Sequence, residues 1–355
     1  MFTEDDLSSL RWDNGLIEII DQTLLPHELR WVELVDLADY CHAIAAMQVR
    51  GAPLIGITAA YGLARALVDD PSNAGLTLAC ETLSATRPTA VNLQWALDQV
   101  SAVVQSVPDA ERAASALAAA HELRAADIAV CERIGETGVA ALPSESGKTL
   151  NIMTHCNAGW LATIQWGTAL APIYKAHAQG RAVHVWVSET RPRNQGMNLT
   201  AWELQRAGIP CTIVADNSCG LLMQRGEVDC VIVGSDRTAA NGDVCNKIGT
   251  YLKALAAKAH NIPFYVALPA STIDWQCPSG REIPIEERGA DELLTVLGRD
   301  ARGQLQSVIC GPPDAKVANP AFDITPAELV TRVLTEYGSF AASEEALAEL
   351  RKQVP

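Results

Sequence analysis

From Thr149 onward the chain repeats one pattern: a short apolar run, a polar loop, then a stretch with helical spacing. The runs read TLNIMT, AVHVWV, PCTIVA, DCVIVG and PFYVAL, and they recur at intervals of about 20 to 35 residues. Nearly unbroken apolar runs mark strands buried on both faces, and intervals of that length hold one crossover helix. The pattern predicts a Rossmann-like, doubly wound parallel sheet. The earlier part of the chain reads differently. Strand-like pieces around LIEIIDQTLLP precede helical spacing over residues 31–48, through VRGAPLIGITAAYGLARALVDD with its Gly-Ala-Pro entry, and again over 77–85 and 92–140. The turn-rich patch LPSESGK, residues 142–148, separates the two patterns. The predicted organisation is an α/β chain: a mainly helical N-terminal domain with a small sheet (1–125), a connecting helix and linker (126–148), and a Rossmann-like domain (149–355).

Composition removes several function classes. The 355 residues, 48% of them hydrophobic, suffice for one large core or two modest ones. A formal net charge of −15, with no Lys/Arg-rich run, leaves no footprint for a phosphate backbone, so nucleic acid is not an expected partner. The opening MFTEDDLSSLRW is acidic and lacks the layout of a secretory signal, and no apolar run approaches the ~18 residues of a membrane span. A cytoplasmic protein without membrane contact is expected. Ten cysteines run from Cys41 to Cys310 with no C-x-x-C pair and no histidine at zinc-finger spacing, so most read as small buried hydrophobes.

In doubly wound sheets ligands bind beyond the carboxyl ends of the strands, so the residues after each run carry the candidate chemistry. After the first run stand His155, Cys156 and Asn157, and after the second SETRPRNQG, with Glu189, Arg191, Arg193 and Gln195. The third supplies Asp216 and Asn217. The fourth opens SDRTAANGDVCNKIGTY, with Asp236, Arg237, Asn241, Asp243, Asn246 and Lys247. One such end is ordinary turn chemistry, but several in one sheet converge on a shared crevice. The first turn reads HCNAGW with a single glycine, which disfavours a dinucleotide, and no Walker loop or H-E-x-x-H is present.

VRGAPLIG, RPTAVNLQWA, THCNAG, SETRPRNQG, GSDRTAANGDVCNKIGTY, IPIEER and NPAFDITPAELVT, in this order across nearly the whole chain, resemble the signature segments of the methylthioribose-1-phosphate isomerase family. That family is related to the regulatory subunits of a translation initiation factor, so fold alone does not fix catalysis. The resemblance implies an aldose–ketose isomerase of methionine salvage, a homodimer acting on a small sugar phosphate without metal or organic cofactor. It implies Asp236 as proton donor and Cys156 as the second catalytic residue, acting either as a base on C2 or as a stabiliser of a hydride shift to C1. It implies Arg50, Gly51, Ala52, Arg87, Gln195, Asn246 and Lys247 as substrate-binding positions. Elementary chemistry gives each a reason. A helix opening at Gly51-Ala52-Pro53 favours an anion, and Arg50 adds a charge-assisted fork. A carboxyl donates at neutral pH only if dry surroundings raise its pKa, whereas pairing with the adjacent Arg237 would lower it. His155 reads as structural. Ser188, Trp160 and Cys245 depart from the usual pattern, which calls for Asp, a small residue and Ala. Two rivals stand beside this reading: a sibling isomerase of 5-deoxyribose 1-phosphate or ribose 1,5-bisphosphate, and a non-catalytic regulatory subunit that binds a phosphorylated ligand.

Overall fold

The structure, a computed structural model, describes residues 7–13, 15–87, 91–144, 147–312 and 314–354. Pro88, Thr89 and Ala90 of one signature segment, Glu145 and Ser146 of the expected linker, and residues 1–6 lie outside the described residues. Two compact units are present. One comprises Met1–Leu25, Leu29–Glu132 and Gly159–Gly167, and the other Pro26–Glu28, Arg133–Ala158 and Thr168–Pro355.

The first unit opens with an antiparallel meander, β1 (Leu10–Asp13), β2 (Leu16–Ile20) and β3 (Trp31–Leu34). Registers of Leu10 with Ile19 and Ile17 with Leu34 set these four apolar side chains in the core. Helices α1 (Leu37–Ala45), α2 (Ala52–Asp69), α3 (Asn73–Thr86), α4 (Val91–Gln105) and α5 (Asp109–Ala141) come next. Most of α2 between Leu54 and Leu67 is buried, as befits a helix apolar on nearly every face. Two sequence expectations are corrected here. Residues 31–48 are not one helix, because WVEL pairs with β2 and Asp36 begins the helix instead, in a reciprocal capping box with Asp39. Nor are residues 92–140: the run breaks before Pro108, whose ring blocks helix continuation and opens α5. Residues 159–167 return to this unit, where Gln22 donates to the Leu161 carbonyl (2.6 Å) and the Ile164 N–H donates to Asp127 (3.0 Å).

The second unit is built on β4 (Leu150–Thr154), α6 (Ala171–Ala178), β5 (Val183–Ser188), α7 (Ala201–Arg206), β6 (Cys211–Val214), α8 (Cys219–Gln224) and β7 (Cys230–Val233). It continues through β8 (Arg237–Ala239), β9 (Val244–Lys247), α9 (Thr250–Ala259), β10 (Phe264–Ala267), β11 (Ile273–Asp274), α10 (Asp291–Leu294), β12 (Thr295–Arg299), β13 (Leu305–Ile309), β14 (Phe322–Thr325), β15 (Arg332–Thr335), β16 (Gly338–Phe340) and α11 (Glu344–Arg351). The main sheet runs β6-β5-β4-β7-β10-β15-β16, parallel except for β16. The five apolar runs are its β4, β5, β6, β7 and β10, and β15 adds a sixth parallel strand. Numbered along the chain, the parallel strands stand in the doubly wound order 3-2-1-4-5-6. The order reverses between β4 and β7, and the crevice beyond their carboxyl ends is where such a sheet binds ligands. A small sheet, β11-β8-β9-β14, and a ribbon, β12–β13, complete the unit. Among the described residues no helix is long and apolar enough to cross a membrane.

Candidate active site

Strand β4 ends at Thr154, and the next three residues turn at the switch point. Cys156 is 8% exposed and holds a left-handed backbone, φ 63°, an uncommon state for a residue with a Cβ. Its backbone is fixed at both ends: the N–H donates to Thr190 Oγ1 (2.8 Å), and the carbonyl accepts from Thr200 Oγ1 (2.6 Å). Thr190 also has a positive φ, 69°, and so does Asn194, 56°, whose N–H donates to the Thr190 carbonyl (2.7 Å). Behind them Asn157 donates to fully buried Glu203 (2.7 Å), which also accepts from the Tyr174 hydroxyl (2.8 Å). A carboxylate with those donors is a satisfied anchor.

Asp216, after β6, clamps the loop between β5 and α7. Its carboxylate accepts from the N–H groups of Thr190 (2.9 Å) and Arg191 (2.7 Å) and from the Ser188 hydroxyl. Ser188, a departure from the signature, therefore has a partner of its own. Lys253, 3% exposed on α9, and His155, 1% exposed, each lie 3.8 Å from the same carboxylate oxygen. Burial, then the Lys253 charge, pushes the His155 imidazole down to about 3 against the pull of Asp216, so the ring is neutral. For Asp216, burial pushes the pKa up, but the Ser188 hydroxyl, Lys253 and the Arg191 N–H outweigh it and hold the carboxyl below its usual range. Both shifts act in the same direction. The unfolded chain takes up a proton at histidine near pH ~6.5 and at aspartate near ~3.9, while the folded chain resists both. Stability contributed by His155 is therefore lost as pH falls below ~6.5, at up to about 1.4 kcal/mol per pH unit, and that of Asp216 is lost below ~3.9. Urea midpoints should drop from pH 7.5 to 5.5 by more in the unsubstituted protein than in His155→Gln. Equal drops would refute the assignment.

On the other side of the switch point Asp236 comes after β7, its N–H donating to the Cys245 carbonyl (3.0 Å) and its side chain exposed. Arg237 turns to Asp274, its Nε donating at 2.9 Å, so that guanidinium is committed elsewhere. Burial first, and then the nearby Asp236 and Asp323 carboxylates, push the Cys245 thiol up to about 12. Strand β9 presents Asn246 and Lys247, 4% and 8% exposed. Lys247 Nζ donates to the Ala321 carbonyl (2.9 Å) and sits 4.6 Å from the Phe322 ring centroid. Asn246 donates to Thr250 Oγ1 (3.1 Å). Among the described residues Gln195, 6% exposed, keeps a buried Oε1 with no hydrogen-bond partner, and Asn194 Oδ1 is in the same state. Buried acceptors left open in a polar turn suit a ligand's hydroxyl groups.

The structure thus sets Cys156 and Asp236 at the ends of neighbouring strands β4 and β7, with Gln195, Asn246 and Lys247 in the same unit. Arg50, Gly51, Ala52 and Arg87 belong to the other unit. There Gly51, at φ 90°, precedes α2, and a Cβ at that position would stand 2.6 Å from Ala162 Cα, so only glycine fits the entry. Half-buried Arg50 stands beside it, and Arg87 closes α3 at its C-terminus. Trp160 is 1% exposed in the segment that carries Ala162. Sequence reasoning missed Thr190, Thr200, Glu203 and Lys253. Glu203 alone left a signal, as a lone acid within the apolar stretch around AWELQ.

A model of the initiation factor 2 subunit family matches residues 48–342. A curated relative, the methylthioribose-1-phosphate isomerase of Rhodospirillum rubrum, is 56% identical over 348 residues, 95% of this chain and 89% of the relative. The crystal structure of 5-methylthioribose 1-phosphate isomerase from Pyrococcus horikoshii OT3 is similar with a TM-score of 0.88 at 36% identity, covering 99% of each chain. A crystal structure described as translation initiation factor eIF-2B, subunit delta, from A. fulgidus is similar with a TM-score of 0.83 at 40% identity, covering 98% of this chain and 99% of that one.

Proposed function

The chain belongs to the initiation factor 2 subunit family and, within it, to the methylthioribose-1-phosphate isomerases, and from that premise we propose that it converts 5-methylthio-α-D-ribose 1-phosphate to 5-methylthio-D-ribulose 1-phosphate in L-methionine salvage. The observation that carries the reading in this chain is a thiol and a carboxyl, Cys156 and Asp236, at the two strand ends flanking the switch point. The phosphate on the anomeric oxygen blocks simple ring opening, so the ring oxygen must be protonated while the phosphate is held. Asp236 is the proton donor. Arg50, Gly51, Ala52, Arg87, Gln195, Asn246 and Lys247 bind the substrate, with the arginines and the lysine facing phosphate charge. Cys156 stands at the carbons that exchange hydrogen. The hydrogen leaves C2 and arrives at C1, so the reaction balances within the substrate.

A second reading, a non-catalytic regulatory subunit, draws support from the likeness to the A. fulgidus protein. A binding module, however, has no use for a proton donor and a thiol at the ends of adjoining strands. The test is a phosphorus and proton NMR time course with 5-methylthioribose 1-phosphate beside 5-deoxyribose 1-phosphate and ribose 1,5-bisphosphate. The methylthio sugar is expected to react fastest and to yield the 1-phosphoketose. Faster turnover of another sugar would move the substrate, and no turnover of any would return the regulatory reading. Deuterium at C1 of product made in D2O would mark proton abstraction by Cys156, and its absence a hydride shift. The working form is a cytoplasmic homodimer, so the assay sample should sediment at twice the chain mass.

A further inference from the structure

We propose that His155 is the positioning residue of this site: one imidazole ring sets the Cys156 turn against the strand end that carries Asn246 and Lys247. The inference rests on the isomerase reading above. His155 Nε2 lies 2.8 Å from the carbonyl oxygen of Ile248, the residue after Lys247. A carbonyl only accepts, so Nε2 carries the proton and Nδ1 is left as an acceptor. Nδ1 lies 3.3 Å from Thr190 Oγ1, the same oxygen that receives the Cys156 N–H at 2.8 Å, and shares that hydroxyl's one proton with the Ser188 carbonyl at 2.9 Å. The ring therefore spans from the turn after β4 to the residue after β9, with the thiol's backbone one hydrogen bond away on one side and Lys247 one peptide away on the other.

The groups that face the ring hold it in that state. Asp216 lies 3.8 Å from Nδ1 but spends its carboxylate on the N–H groups of Thr190 and Arg191 and on the Ser188 hydroxyl. Lys253 lies 3.8 Å from that carboxylate and 3.4 Å from the Gly249 carbonyl. Lys247 adds a second ammonium to the charges acting on the ring. Burial comes first, Lys253 and then Lys247 act in the same direction against the already shared carboxylate, and the ring stays neutral. A neutral ring in a single tautomer is a rigid spacer. Displacement of a reacting group by about 1 Å costs on the order of 100-fold in rate, which makes such a spacer consequential without touching substrate.

The two arms separate by substitution. His155→Gln places an amide N–H where Nε2 stands and keeps the Ile248 arm. His155→Asn places an amide oxygen where Nδ1 stands and keeps the Thr190 arm, and His155→Phe removes both. With 5-methylthioribose 1-phosphate, the Phe variant is expected to lose about 100-fold in kcat and to raise KM. The Gln variant should recover KM but not kcat, and the Asn variant kcat but not KM. A structural role alone would lower Tm in all three while leaving both constants of the folded protein unchanged, and that result would overturn the proposal. So would equal kcat and KM in the Gln and Asn variants, a comparison that holds even if the Phe variant does not fold. Nitrogen-15 spectra of the unsubstituted protein supply a readout independent of turnover. The His155 signals, identified by their loss in the Gln and Asn variants, should show protonated Nε2 and bare Nδ1 from pH 6 to 8. If the protein turns over no sugar yet shows that tautomer, the isomerase reading fails and the bridge stands; the opposite tautomer removes the bridge whatever the activity.

Discussion

Asp236→Asn is expected to lower kcat by about 10³- to 10⁴-fold while leaving KM for the 1-phosphorylated sugar within about threefold. The substitution keeps size and polarity and removes only the transferable proton. If Asp236 merely capped a turn, Asn would replace it at little cost, since both are good turn residues. Its surroundings favour the catalytic reading. The neighbouring cation that would hold the carboxyl ionised, Arg237, forks onto Asp274 instead. The backbone of Asp236 is fixed to Cys245, so the carboxyl hangs from a rigid point at the end of β7. The side chain is exposed. Donation at neutral pH therefore requires the bound sugar to exclude water from the carboxyl and raise its pKa. Consequently kcat, which reports the enzyme with sugar bound, should begin to fall with rising pH at a higher pH than kcat/KM, which reports the free enzyme. An Asp236→Asn enzyme within tenfold of the unsubstituted kcat would remove Asp236 from the chemistry.

The legible parts of this fold are those buried on every face, whose sequence is apolar at every position. CVIV and FYVA are buried at every position, as central parallel strands must be, and they announce themselves as unbroken apolar runs. WVEL is hard to tell from a helix because it is an edge strand, only half buried, so four residues of mixed character blend into the helical spacing of the adjoining α1. The hairpin of β8 and β9 carries a readable signal, the Asn241-Gly242 pair between two short strands. The candidate site divides in the same way. Cys156 and Asp236 stand out because a strand end is a local feature, and a thiol or an acid there is a local anomaly. The Thr190 hydroxyl that holds Cys156 comes from 34 residues away and Glu203 meets Asn157 across 46, and no periodicity encodes such pairings. Lys253 reads as one more charge on a helix until Asp216 is found beside it.

The loop that holds Cys156 leads to the other large effect: Gly196→Ala is expected to cost about 3 kcal/mol or more in stability and at least about 100-fold in kcat. Gly196 opens a π-helical turn, Gly196–Thr200, packed against the Ser188–Thr190 loop. A Cβ there would overlap the Ser188 carbonyl oxygen and stand 2.9 Å from Thr190 Oγ1. The first of these atoms is backbone and cannot swing aside, so the loop itself must move. Three bonds lie in its path: Thr190 Oγ1 to the Ser188 carbonyl (2.9 Å), Cys156 N–H to Thr190 Oγ1 (2.8 Å), and Met197 N–H to the Glu189 carbonyl (3.2 Å). Two of the three use the Thr190 hydroxyl, and through it the overlap reaches the thiol without altering any group that meets the sugar. Gly220→Ala on α8 is the matched control, because its Cβ would meet nothing nearer than Ala256 Cβ at 3.9 Å. It should keep kcat and gain up to about 1 kcal/mol from helix propensity. If Gly196→Ala instead unfolds at the same urea concentration as the unsubstituted protein and turns over normally, the loop yields freely, and a rigid Thr190 cannot be what positions Cys156.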